Sequence, residues 1–286
     1  MSKRKPMSKT AAHRLQMTVI YIILGICAIV CIFPFLWMLT TAFKSTAEAY
    51  QFPPTLLPKR WLISNFTNGL QQADFGLFTR NTIFLVLINT IGTVFSSAFV
   101  AYGFARFPGK GSKFWYTCLM ATLMLPGQVT LIPQYLLYFK AGMVDTYWPL
   151  IIPSLLGGGA YNIFLYRQFF MSMPKELDEA AMIDGANSFQ TFIHIMLPAV
   201  KPVSMCVGVM SLVYNWNDFY QPLIYLNSTN KFTVAIGIQF LNSSMGTTKI
   251  GQMMAVALVM TIPVLIIFFL CQKYFVEGIK MQGIKG

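Results

Sequence analysis

The chain has 286 residues, 56% of them hydrophobic and 10% charged, with a formal net charge of +12 and a mean hydropathy of +0.59. Water-soluble domains carry roughly a quarter charged residues, which excludes an ordinary soluble enzyme, and 15% aromatic residues exclude an intrinsically disordered chain. On a soluble protein the surplus of cations would point to nucleic acid; here it raises the question of which side of a membrane they occupy.

A hydrocarbon core about 30 Å thick takes about 20 residues of helix. Six apolar runs reach that length: 17–43, 81–105, 114–139, 147–170, 198–220 and 253–275. They are continuous rather than alternating, so the expected fold class is an all-α integral membrane protein with six transmembrane helices. A basic stretch, 1–16, precedes the first span with Lys3, Arg4, Lys5, Lys9 and Arg14. That span is too long for a secretory signal and no small-residue cleavage site follows, so it reads as uncleaved. With the N-terminus in the cytoplasm, cations lie roughly two to one on the inner side, which places both termini there.

Further along, the outer loop 44–80 holds Pro53, Pro54 and Pro58 and then a short amphipathic segment near 61–70. Pro108, Gly109 and Gly111 mark an inner turn, and a second short outer turn falls near 140–146. In the fourth span, Gly157, Gly158 and Gly159 suit either close packing or a helix break beside a cavity. Cys27, Cys31, Cys118, Cys206 and Cys271 lie in apolar runs without metal-ligand spacing and read as small buried hydrophobes.

The inner loop 171–201 carries the strongest signal. Four of the nine acidic residues fall there: Glu176, Asp178, Glu179 and Asp184. Ser172 is expected to cap a helix with Pro174 in its first turn, and early acids suit the positive helix end. Gly185 supplies a left-handed stop. Asn187 with Gln190 forms a capping box for a second short helix, whose apolar face is Phe189, Phe192, Ile193 and Met196. Pro198 and Pro202 separate it from the fifth span.

Several chemistries lack their residues. A phosphate-binding GxxxxGK[ST] loop is missing, since Phe104 stands where the first glycine before Gly109-Lys110 would be. No paired carboxylates, catalytic Ser/His set or metal cluster appears, so no enzyme active site and no metal are expected. Within the spans the ionisable groups are few, and Asp218, near the outer end of the fifth, is either a boundary residue facing water or a hydrogen-bond partner for solute hydroxyls. Planar polar side chains and aromatics suit sugars. On that chemistry Asn215, Trp216, Asn217, Asp218, Tyr161, Asn162 and Gln128 are the candidate solute-pathway residues, with Asn89, Thr90 and Gln134 as further polar groups.

The run Glu179-Ala180-Ala181, Asp184-Gly185-Ala186, Leu197-Pro198 and Pro202 resembles the EAA loop of ABC importer permeases. Together with Asn215-Trp216-Asn217-Asp218-Phe219, Pro222-Leu223 and the Gly-Ile-Lys-Gly tail, it is similar to MalG-like sugar permeases. The resemblance implies a type I importer permease of the bacterial cytoplasmic membrane, moving a sugar of the oligosaccharide class by alternating access. It implies a MalF-like second permease, two ATPase subunits that bind ATP and Mg, and an extracytoplasmic solute-binding protein, with no cofactor in this chain and no nucleic acid partner. It further implies that 17–275 is the permease domain, that 171–201 is the coupling loop, and that the tail 276–286 is cytoplasmic. Glu179 would pair with a basic ATPase residue; Ala180, Ala181, Gly185 and Ala186 would allow close packing, and Asp184 would help fix the turn. The loop at about 227–249 would probe the binding protein. The alternatives are an ion-coupled secondary sugar carrier, or a permease for a polyol phosphate or uronide.

Overall fold

The computed structural model describes residues 9–243 and 249–283, and among them every regular element is helical. In chain order these are α1 (Lys9–Ala42), α2 (Thr46–Ala49), α3 (Ser64–Gln71), α4 (Phe75–Arg106), α5 (Ser112–Ala121), α6 (Gly127–Lys140), α7 (Trp148–Leu155) and α8 (Ala160–Ser172). They continue with α9 (Glu176–Ile183), α10 (Ser188–Thr191), α11 (Leu197–Ala199), α12 (Lys201–Asn217), α13 (Tyr220–Tyr225), α14 (Val234–Ser243) and α15 (Ile250–Gly283). Lys3, Arg4, Lys5, part of the expected probe loop (244–248) and the last tail residues (284–286) lie outside the described residues.

Among the described residues, four stretches are long and apolar enough to cross a bilayer, and six if each of two bent helix pairs counts as one span. The first bend corrects the expectation of a continuous third span; the second falls where Pro198 and Pro202 were expected to separate the short helix from the fifth span. The chain turns by 106° between 112–124 and 127–140. Pro126 has no N–H to give, and it holds Leu125 extended at φ −84°, ψ 120°. A second bend of 80° falls at Val200, with Pro202 opening α12. The fourth span is also interrupted, because Gly157, Gly158 and Gly159 all take positive φ (107°, 61° and 97°). At Gly158 both sequence readings hold together: the helix breaks there, and a Cβ would sit 2.9 Å from the Thr93 backbone.

The chain divides into two compact units, 1–72 with 241–259, and 73–240 with 260–286. In the first, α1 exposes apolar side chains along its length, as a lipid-crossing helix must. Its C-terminal carbonyls are closed by Asn65, whose Nδ2 donates to Ala42 O (2.9 Å) and Lys44 O (2.8 Å). Buried Lys44 donates to the Thr55 carbonyl and lies 4.5 Å from the Trp37 ring. Buried Glu48 accepts from Lys59 N at 2.8 Å. The proline-rich outer loop is thus folded back by polar side chains.

The second unit is built on α4. Ala98, Ala101 and Tyr102 of α4 share a core with Ile163, Leu165, Tyr166 and Phe170 of α8, and with Val203 and Val207 of α12. Phe192 and Met196 complete it from a π-helical turn, Phe192–Met196. That turn shifts the register of the expected apolar face, so Phe192 and Met196 are fully buried whereas Phe189 is 55% exposed. The cysteines are free, and Cys27, Cys31 and Cys118 are exposed rather than buried. An apolar helix facing lipid has no core to hide such residues in.

At the opposite end of this unit from α9, Asp145 joins the α6–α7 turn to the segment after α13. Its Oδ1 accepts from Asn227 N and Ser228 N (both 2.9 Å), and its Oδ2 pairs with Lys231 Nζ at 3.0 Å. These bonds, with the Ser228 hydroxyl foremost, hold its carboxyl well below the usual carboxylate range.

Two outcomes follow from this packing. Gly158→Val, which adds a clash to a positive φ, should cost about 2 kcal/mol or more, read as a lower unfolding midpoint in detergent; Gly25→Ala, with open space around it, should leave the midpoint unchanged. Asp145 contributes most while ionised in both folded and unfolded chains, and that contribution fades as pH falls below the unfolded value of about 3.9. Asp145→Asn keeps shape and tolerates the left-handed backbone, so it should lower the midpoint at pH 7, with the gap to the unsubstituted protein narrowing below pH 4.

Candidate functional site

The second unit carries two sites, one at the C-terminal end of α4 and one along its length. The first is α9 and its turn. Ser172 does not cap α9: it ends α8, its hydroxyl donating back to Phe169 O, and Pro174 precedes the helix. α9 instead starts after Lys175 with Glu176, Asp178 and Glu179 in its first turn. Those carboxylates at the positive helix end offset the missing side-chain cap.

α9 closes in a Schellman turn. Ala186 N donates to Ala181 O (2.9 Å), Gly185 N donates to Met182 O (3.1 Å), and Gly185 sits at φ 82°. The capping box then starts α10, with Asn187 and Gln190 bonded reciprocally at 2.9 Å. Ala181 is buried and Ala186 half-buried, while Glu179, Ala180, Asp184 and Gly185 are exposed. Met182 and Ile183 stand out beside them, Ile183 at 87% exposure. The arrangement is a rigid two-helix corner with a carboxylate, small residues and an apolar tip on its open face.

What fastens this corner had no counterpart among the sequence expectations. Arg106, the last residue of α4, pairs with Asp178 (Nε–Oδ2 3.0 Å) and donates to the carbonyls of Met173 (3.0 Å) and Pro174 (3.2 Å). Tyr102 Oη donates to Asp178 Oδ1 at 2.9 Å. Both charged side chains are largely buried, at 6% and 13% exposure, so losing one partner would strand the other. A recess of about 190 Å³ lies here, walled by Arg106, Lys175, Asp178 and Glu179 among others. The only signal in the sequence was a lone cation ending a span, which is indistinguishable from an interfacial anchor.

The second site is a cavity of about 460 Å³ bounded by α4, α6, α7, α8, α12 and α13. Of the candidate solute-pathway residues, Asn162, Asn215 and Asp218 line it. Asn215 is already engaged: its Oδ1 accepts from Asn89 Nδ2 (2.8 Å) and its Nδ2 donates to Ser211 O (2.7 Å). Asn89 Oδ1 in turn accepts from Ser154 Oγ at 3.0 Å. Asn162 Nδ2 donates to Gly158 O (2.6 Å) at the glycine break.

Trp216, Asn217, Tyr161 and Gln128 are not brought to the cavity. Trp216 is buried and its indole N–H donates to Met260 O of α15 at 3.1 Å. Asn217 bonds back to Val213 O (2.8 Å), and Tyr161 and Gln128 are exposed elsewhere. In their place Gln134, Tyr214, Gln221 and Thr233 line the wall. Among the described residues no group of His, Cys, Asp or Glu could hold a metal ion.

A family model described as binding-protein-dependent transport system inner membrane component matches residues 94–281. The chain is 34% identical to the sn-glycerol-3-phosphate transport system permease protein UgpE of Pectobacterium atrosepticum, over 91% of this chain and 94% of that one. It is 31% identical to the lactose transport system permease protein LacG of Rhizobium radiobacter, over 95% and 98% of the two chains. The fold is similar to that of a bacterial ABC transporter involved in the import of the acidic polysaccharide alginate, with a TM-score of 0.81, 22% identity, and coverage of 95% of this chain and 100% of that one. These matches displace the ion-coupled carrier alternative. The apolar helices, the family match over most of the chain and the shared fold lead to one conclusion: the chain belongs to the family of binding-protein-dependent transport system inner membrane components, the multi-pass permease subunits of ABC importers.

Proposed function

We propose that this chain is one of two permease subunits of an importer for a sugar of the oligosaccharide class, driven by ATP that two partner ATPase subunits bind with Mg and hydrolyse. A solute-binding protein delivers the solute from outside, both chain termini lie in the cytoplasm, and 171–201 is the coupling loop. The sugar class is supported by relatives named for lactose transport and, at 28% identity, for arabinooligosaccharides in Halalkalibacterium halodurans. A second reading, an anionic solute, is favoured by the glycerol-phosphate relative.

The observation that carries the coupling role is the α9 corner. Its exposed face offers Glu179 as a directional charge-assisted acceptor, Ala180 and Gly185 for close approach, and Ile183 as an apolar tip. Its buried side is tied by Asp178 to Arg106 and Tyr102 at the end of α4. α4 in turn lines the cavity with Thr82, Asn89 and Thr93. A push on α9 is therefore delivered to a continuous 32-residue helix rather than absorbed by a loop, as a rigid-body transfer between two arrangements requires.

Glu179→Lys, at an exposed position, should leave folding intact while the ATPase subunits no longer co-purify and ATP-driven uptake into proteoliposomes falls at least tenfold. Unchanged co-purification and uptake would refute the coupling role. Arg106→Ala strands Asp178 and should lower uptake while costing about 3–5 kcal/mol of stability, read as a lower unfolding midpoint. The exchange Arg106→Asp with Asp178→Arg should recover part of both, measured by the same uptake assay and by thermal unfolding.

A further inference from the structure

We propose that the 460 Å³ cavity is a solute site belonging to this chain itself, built for a neutral polyhydroxylated solute and closed to phosphate- or carboxylate-bearing ones, with Asp218 as the selecting group. The proposal deepens the sugar reading above and rests on it only for the choice of solutes to test.

The wall divides into groups that are spent and groups that are free. Asn89, Ser154, Ser211 and Asn215 satisfy one another and make a fixed polar scaffold. Gln134 and Gln221 also line the cavity. Thr233, only 4% exposed, also lines it, and its Oγ1 has no hydrogen-bond partner. A buried hydroxyl left unpaired is costly, and a solute hydroxyl would relieve it. Asp218 uses one carboxylate oxygen to accept from Gln221 N at 3.2 Å, and among the described residues no ion pair neutralises it. The Tyr214 ring, 65% exposed, adds an apolar face. A carboxylate, two amides, a hydroxyl and an aromatic face together match the alternating hydroxyls and C–H patches of a sugar ring.

Charge decides against anions. Among the described residues no Lys, Arg or His lines the cavity, and Asp218 is its one charged side chain. The N-terminal end of α8 does face it through Gly158, Gly159 and Asn162, contributing about half a positive charge. Opposing it are the C-terminal ends of α7 and α12, which reach the wall through Ser154 and Asn215, each contributing about half a negative charge. The N-terminal ends of α13 and α14 also reach the wall, through Gln221 and Thr233, so the helix ends sum to about half a positive charge against the full negative charge of Asp218. A phosphate or uronate entering would find repulsion and no cationic partner.

The test uses the assembled transporter in lipid nanodiscs, without ATP, with the five native cysteines replaced by serine and Met210→Cys placed in the cavity wall. Methanethiosulfonates of equal size and opposite charge are compared, each normalised to a thiol at Ala141 on the outer turn. The cationic reagent should react about tenfold faster or more, and Asp218→Asn should bring the two rates within about twofold. Lactose, an arabino-oligosaccharide or glycerol at millimolar concentration should slow labelling severalfold, while glycerol 3-phosphate should not. Equal rates before the Asp218 change, an unaltered ratio after it, protection by glycerol 3-phosphate, or no protection by any neutral solute would each overturn the proposal. Leu150→Cys, also in the cavity wall, carries the same measurement should Met210→Cys assemble poorly. Because no ATP turnover is involved, failure here and failure of the Glu179 coupling role are separately visible.

Discussion

The structure rests on the obligation of backbone N–H and C=O groups to find partners where no water is available. α4 meets it with 32 residues of unbroken helix. Its neighbours do not: the chain breaks at Leu125–Pro126, at 156–159, at Val200 and at Asp218. Such breaks are tolerated in an apolar setting only where side chains or a cavity serve the freed groups. Asn162 supplies the Gly158 carbonyl, Ser96 supplies the Ser154 carbonyl at 2.7 Å, and Asp218 receives Gln221 N. The cavity sits beside these interruptions because the same missing helical turns that free the polar groups also leave the space.

α4 then connects the two ends of its unit. Near its N-terminal end, Asn81 Nδ2 donates to Asn230 O and Phe232 O, and Thr82 Oγ1 accepts from Val234 N, which ties down the segment leading into α14. At its C-terminal end, Arg106 and Tyr102 hold α9 through Asp178. Between them, Gly92 lies where a Cβ would come within 2.9 Å of Leu155 Cδ2 and 3.4 Å of the Ser154 backbone, so α4 and α7 pack closely there. A stiff rod, tight against its neighbours and fastened at both ends by buried polar bonds, transmits displacement instead of dissipating it. That mechanical property is the one the proposed coupling role requires of this unit.

The α9 corner was readable in the chain because its geometry is local. A Schellman turn at Gly185 and a capping box at Asn187 involve residues three to five apart, and such bonds depend on sequence neighbours alone. Ser172 failed as a cap for the same reason in reverse: α8 continued through it, and its hydroxyl bonded back to Phe169. Arg106 and Asp178, separated by 72 positions, had no local pattern that could reveal them.

Length, hydropathy and the order of small and acidic residues therefore determined the class of this protein and the local fold of the α9 corner. Tertiary structure alone decided which polar residues face the cavity. In a helix that is apolar on every side, periodicity does not distinguish the face toward lipid from the face toward a neighbour, since both reward the same side chains. Asn215, Trp216 and Asp218 read alike as candidates on paper. Packing turned Trp216 toward Met260, bound Asn215 into the scaffold, and left Asp218 as the one charged side chain in the wall. Those assignments come from contacts between residues tens of positions apart, which only the folded chain brings together.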